Sequence, residues 1–253
     1  MQESVRARQA GSFGAVAADY DAARPSYPAD AVAWLTGPPP RDVLDLGAGT
    51  GKLTELLVAA GHRVSAVDPS TGMLEQLRRR LPGVLTAVGG AEDVPLPDGS
   101  ADVVTVAQAW HWFDQARAPL ECARLLRPGG RLALVWNERD ESVDWVGAVW
   151  EPLNRSGGTG MSLLADGWQD TIAQHAPFGP VRQAVFRHAQ TLTRDGLLRL
   201  ISSRSAVAVL EPAARDALMA EVTAVLDAHP ASRGKDTLLL PYETHCYRWQ
   251  LAG

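Results

Sequence analysis

Cysteine is scarce: the chain has two in 253 residues, Cys122 and Cys246, far apart and outside any CxxC or Cys/His spacing. That argues against a disulfide framework and a zinc site and leaves both as packed thiols, with no metal expected. Positive charge is not in excess either, since the net charge is -5 and the cations are scattered apart from Arg78-Arg79-Arg80, which reads as a helix end. Nucleic acid is therefore not an expected partner. No window approaches the roughly 18 apolar residues that a membrane span needs, and the N-terminal charges are followed by no apolar stretch. The sequence thus predicts no membrane association and a cytoplasmic location. Internal repeats are absent, and Gly37-Pro38-Pro39-Pro40 is the only low-complexity stretch.

What is present is a chain 46% hydrophobic and 21% charged, enough to bury one large α/β core. From Arg41 onward, short apolar runs alternate with helical patterns, as in a parallel sheet covered by helices. Strands are expected at 41–46, 62–67, 84–88, 101–107 and 131–136. Helices are expected at 52–60, closed by Gly61, at 70–81, stopped by Pro82-Gly83, and at 115–126, with Arg127-Pro128-Gly129-Gly130 as a turn before the fifth strand. Further on, helices are expected at 142–153, 193–210 and 212–228, with strands at 181–190 and 238–251, the last at or next to the sheet edge. This divides the chain into an N-terminal lid or arm (1–40), a Rossmann-like core (41–137) and a C-terminal part (138–253) that completes the sheet, within a single domain.

The strongest local signal is Asp45-Leu46-Gly47-Ala48-Gly49-Thr50-Gly51, between a strand and a helix. Glycines there allow a tight turn and let a ligand lie against bare backbone. A dinucleotide fingerprint is GxGxxG, whereas this loop is GxGxG with an acid two positions before its first glycine, which disfavours NAD. An acid at that place suits a ligand carrying an ammonium group. S-adenosylmethionine (SAM) carries both an ammonium and a sulfonium. Asp68 stands at the end of the second strand, where a carboxylate can accept from both hydroxyls of a ribose. Glu92, after the third strand, is in place for the adenine amine.

These residues resemble the class I SAM-dependent methyltransferases, and specifically the small-molecule branch that includes trans-aconitate and ubiquinone or menaquinone methyltransferases, over about Phe13 to Asn137. The resemblance implies a doubly wound, mostly parallel seven-stranded sheet, with SAM converted to S-adenosylhomocysteine. It assigns Asp45, Gly47, Ala48 and Gly49 to the methionine part of SAM, Asp68 to the ribose and Ala91 and Glu92 to the adenine, with Pro69 and Met73 also binding the cofactor and Gln108 and Ala109 beside it. Many relatives have Asp where this chain has Gly90, which shifts adenine recognition toward the backbone of Ala91 and Glu92. The segment from Phe13 to Pro28 resembles an arm that closes over SAM, with Tyr20 and Arg24 facing it and Arg24 matched to its carboxylate.

After the fourth strand, Trp110-His111-Trp112-Phe113 falls at the sheet edge where ligands of open α/β folds bind. Trp110 and Trp112 are expected to wall the acceptor pocket and offer π-faces to a sulfonium. His111 is the candidate base, with His245 second, if the acceptor must lose a proton. The expected activity is methyl transfer to a small-molecule acceptor. An enzyme of other chemistry on the same scaffold and a non-catalytic SAM-binding module remain alternatives. Trp145, Trp150, Trp168 and Met161 are read as an apolar lining for the acceptor.

Overall fold

The computed structural model describes residues 24–155 and 167–252, without the side chains of Ser205 and Ala206. Element α1 is Ala29–Thr36; β1, Asp42–Leu46; α2, Lys52–Ala59; β2, Arg63–Asp68; α3, Thr71–Arg80; β3, Leu85–Val88; and β4, Ala101–Ala107. The chain continues with α4, Arg117–Leu125; β5, Leu126–Arg139; α5, Asp144–Asn154; α6, Trp168–His175; β6, Arg182–Thr193; α7, Arg194–Ser202; α8, Ser205–Ala208; α9, Pro212–Ala228; and β7, Thr237–Gln250. The sheet has seven strands in the order β3-β2-β1-β4-β5-β7-β6. Strands β1 to β5 pair in parallel, and the order reverses between β1 and β4, so the seven-stranded doubly wound fold expected from the sequence is present.

Two compact units divide the described residues: 26–137 with 167–186 and 244–252, and 24–25 with 138–155 and 187–243. In the first, the apolar faces set by sequence periodicity meet as predicted. Leu53 and Leu57 of α2 pack with Val43, Val103, Ala133 and Val135 of the strands, and Leu74 and Leu77 of α3 pack on Ala66. Residues 29–36 depart from the reading of 1–40 as a separate arm. They form α1, which joins this core through Ala31, Val32 and Leu35, all nearly inaccessible. The Gly-Pro run ends α1 without detaching it, because a helix with one apolar stripe must bury that stripe somewhere.

Strand β5 is longer than expected. Its pairing with β4 jumps from Ala101↔Leu126 to Val103↔Arg131, so Arg127 to Gly130 form an irregularity within the strand. Sequence reading also ran 193–210 as one helix where the structure has α7 and α8, and it missed α6.

The second unit has its own core, built from Trp145, Val149 and Trp150 of α5, Leu197 and Ile201 of α7, Val222 and Leu226 of α9, and Leu240 of β7. Trp145 and Trp150 are therefore packing residues and not acceptor lining, with the Arg139 guanidinium 5.0 Å above the Trp150 ring. Trp168 is likewise taken up in packing within the first unit. It meets Trp136 and Tyr247 edge-on at 5.3 and 5.2 Å. Met161 lies outside the described residues. Large rings bury the most apolar area, so core packing competes for every tryptophan. Both cysteines are buried free thiols, and burial pushes Cys246 up to about 12. Among the described residues no helix is long and apolar enough to cross a membrane.

Candidate functional site

The loop between β1 and α2 turns through Gly47, Gly49 and Gly51, at φ of 71°, 56° and 87°. Left-handed backbone strains any residue with a Cβ, which is why the turn is written in glycine. The surroundings of these glycines differ. A Cβ on Gly47 would stand 2.8 Å from that of Ala109 and 3.2 Å from the Phe113 ring, so the loop is pressed against the β4 tip. A Cβ on Gly49 would meet nothing within 4 Å. Gly49 thus presents bare backbone to open space beside two buried carboxylates.

Asp68, at the end of β2 and 8% exposed, accepts from Gly49 N at 2.9 Å through one oxygen and from Ser70 N at 2.8 Å through the other. Burial raises its pKa, and these two backbone donors oppose the rise. Each carboxylate oxygen has a second lone pair, so both remain able to accept from hydroxyls.

Asp45 is deeper, 1% exposed, and its oxygens accept from Thr54 Oγ1 at 2.6 Å and Thr105 Oγ1 at 3.1 Å. Burial raises its pKa to about 6 despite these hydroxyls, with the charge of Asp68 adding to the rise. The acid chosen from sequence for a ligand ammonium therefore also ties β1 to α2 and β4. Pro69 is exposed, whereas Met73 is buried, with its N–H on the Ser70 cap.

The loop after β3 is joined to the same edge, because Glu92 Oε1 accepts from Asp114 N at 2.8 Å, while Ala91 is buried. Glu92 thus fastens the loop after β3 to the β4 tip. Gln108, at that tip, is the only described non-glycine residue with positive φ, 58°. Its N–H donates to Val135 O at 2.9 Å and its Nε2 to Asn137 O at 3.3 Å. Strain in a residue with a Cβ costs about 1–2 kcal/mol and persists where the surroundings over-determine it, commonly at binding sites.

Trp110 is wholly buried and packs edge-on against Phe113 at 5.6 Å. This corrects its assignment to the acceptor pocket, since a ring with no exposed face walls nothing. Trp112 is half-buried, its ring 4.6 Å from that of His111, which is itself 7% exposed.

Asn137 was not singled out from sequence. It is 8% exposed, accepts from Thr244 Oγ1 at 2.6 Å and donates to Ser26 O at 3.0 Å. The signal available was a polar residue closing the apolar run Leu132 to Trp136. Asp45, the glycine loop, Asp68, Ala91-Glu92, Gln108-Ala109 and His111 all fall in the first unit, at or beyond the C-terminal ends of β1 to β4. Arg24 belongs to the second unit. There burial pushes the Tyr242 phenol up to about 12, while Arg24, Arg204 and Arg139 pull it down. Tyr20 lies outside the described residues.

A family model described as a methyltransferase domain matches residues 44–134. An uncharacterized methyltransferase of Mycobacterium tuberculosis (strain H37Rv) is 45% identical over 241 residues, spanning 95% of this chain and 96% of its own. An uncharacterized methyltransferase-like protein of Schizosaccharomyces pombe is 35% identical over 241 residues, covering 93% and 94%. Among solved structures, one described provisionally as a type II methyltransferase from Anaeromyxobacter dehalogenans superposes with a TM-score of 0.71 at 30% identity, covering 91% of this chain and 99% of that one.

Proposed function

The chain belongs to the class I SAM-dependent methyltransferases and uses SAM as its methyl donor; on that premise we propose that its acceptor is a small molecule and that the donor is held at the C-terminal ends of β1, β2 and β4. One observation carries the placement. Gly49 offers bare backbone to open space while its own N–H is held by Asp68 at 2.9 Å, so loop and carboxylate form one prearranged surface. Asp68 would take the ribose hydroxyls, with Pro69 and Met73 beside them, and Ala91 and Glu92 would frame the adenine. Asp45 favours the ammonium end by its charge, Gly47 and Ala48 would hold the methionine part, and Gln108 and Ala109 would lie beside the donor.

SAM supplies an electrophilic methyl group on a positively charged sulfur. The chain's contribution is alignment in a dry pocket, because an in-line displacement gains most from fixed geometry. Trp112 and Phe113 would exclude water. His111 would accept the proton of an acceptor that must lose one, and a base is dispensable for an acceptor that is already an anion.

Calorimetric titration with SAM, S-adenosylhomocysteine and NAD tests the donor site. We expect micromolar binding of the two sulfur nucleosides and none of NAD. Asp68→Ala removes a charge-assisted acceptor, worth about 1.5–3 kcal/mol per bond, and should weaken both by roughly 30-fold or more. Unchanged affinity in a folded Asp68→Ala variant would show that the ribose lies elsewhere.

A further inference from the structure

A second site lies at the opposite ends of the strands in the first unit. There, Arg131, Pro180, Arg182, Arg248, Trp249 and Gln250 line an open pocket. Arg131 is six residues before Asn137 on β5, so about 20 Å of strand separates this pocket from the methyl-transfer edge. The guanidinium of Arg41 faces the same place. A Cβ on Gly37 would lie 3.3 Å from Arg131 Nη1 and 3.7 Å from Arg41 Nε.

Four arginines therefore converge, and among the described residues none of them has a carboxylate partner. Elsewhere Arg63, Arg124, Arg127, Arg155 and Arg187 are ion-paired, and what sets the four apart is that they lie together. Burial and then the charges of Arg41, Arg248 and Arg182 push Arg131 below the usual guanidinium range.

The carbonyl end of α1 is close to these arginines. Arg248 donates to Trp34 O at 2.7 Å there and lies 4.2 Å over the Trp34 ring. A helix end carries about half a charge, far short of four. The pocket floor is held by backbone bonds, from Gly179 N to Gln250 O at 2.8 Å and from Leu251 N to Gly130 O at 2.8 Å. Guanidinium forks without counter-charges match oxyanions bidentately. A phosphate monoester, with nearly two charges and three acceptor oxygens at neutral pH, satisfies more of them than a single carboxylate does.

We propose that this pocket binds a phosphate-bearing small molecule, its anionic group held between Arg131, Arg182 and Arg248, at a site separate from that of methyl transfer. Pyrophosphate is the probe, titrated calorimetrically into the full chain at constant ionic strength, with thermal melting in parallel. The wild type should bind it saturably at one site per chain and melt higher in its presence. Arg131→Gln should weaken it at least tenfold and abolish the thermal shift while leaving SAM affinity unchanged. Removal of a like charge relieves repulsion, so that variant should melt no lower than wild type in phosphate-free buffer. The exposed Arg182→Gln provides a second variant whose fold is not at risk, and it should also weaken binding. The proposal is overturned if the wild type shows no saturable binding, if both variants bind as the wild type does, if citrate binds as tightly as pyrophosphate, or if SAM affinity falls with the arginine.

Discussion

Gly49→Ala places a single methyl group on the surface that is proposed to receive SAM. Two effects are separable in advance. The residue sits at φ 56°, where a Cβ costs about 1–2 kcal/mol, but nothing lies within 4 Å of the new atom, so no clash adds to the strain. For a chain of this size, that cost lowers the melting temperature by a few degrees, at about 2–4 °C per kcal/mol. The protein should therefore fold and be assayed intact.

Binding should suffer more than folding. A ligand lying directly on the glycine backbone must move by about the radius of a methyl, out of reach of hydrogen bonds that weaken steeply with distance. Loss of one or two such bonds, about 1.5–3 kcal/mol, is a roughly 10- to 150-fold rise in Kd for SAM and S-adenosylhomocysteine. Gly51→Ala is the control, because its Cβ would stand 2.7 Å from Leu77 Cγ inside the core. It should lower the melting temperature further yet leave the affinity of the folded fraction closer to wild type. Calorimetry with S-adenosylhomocysteine, beside melting curves of both variants, reads the contrast. Wild-type affinity in a well-folded Gly49→Ala protein would refute the placement of the donor on this loop.

Two further expectations concern groups that the site holds against their intrinsic preference. Asp45 has its pKa raised from 3.8 to about 6, so the folded state favours its protonated form; the cost of its charge is absent below pH 3.8, grows up to about pH 6 and is constant above. At about 1.36 kcal/mol per pH unit this is about 3 kcal/mol, so Asp45→Asn, which can still bond Thr54 and Thr105, should be more stable than wild type at pH 7.5 and not at pH 3.5, with weaker SAM binding. Equal stability increments at both pH values in denaturant titrations would contradict the burial argument. Gln108→Gly relieves left-handed strain of about 1 kcal/mol and gives up only a long bond to Asn137 O, at 3.3 Å; melting should hold or rise by a few degrees while methyl transfer slows, and a clear fall in melting temperature would show that the Gln108 side chain supports the fold.

Much of the fold was readable because its determinants are local. The faces of α2 and α3 are written in the spacing of Leu53 with Leu57 and Leu74 with Leu77, and the fourth strand was placed at 101–107, as found. Boundaries failed where pairing overrides local signals, as when β5 absorbs the Arg127 to Gly130 turn as an irregularity of its register with β4. The aromatic readings failed for a related reason. A tryptophan in a loop or helix carries no mark of which side it faces, and Trp110, Trp145, Trp150 and Trp168 all went into packing.

By itself, then, the sequence determined the family-bearing loop, the strand-end acids and the alternation of strands and helices, since each depends on residues only a few positions apart. Tertiary structure decided what depends on distant partners. It joined Gly49 to Asp68 and Glu92 to Asp114, enclosed Asn137 between Ser26 and Thr244, and made α1 part of the core. It also gathered Arg131, Arg182 and Arg248 from separate parts of the chain into one pocket, with Arg41 beside Arg131. Charge density is a property of positions in space, and a linear sequence with scattered arginines does not show where they meet.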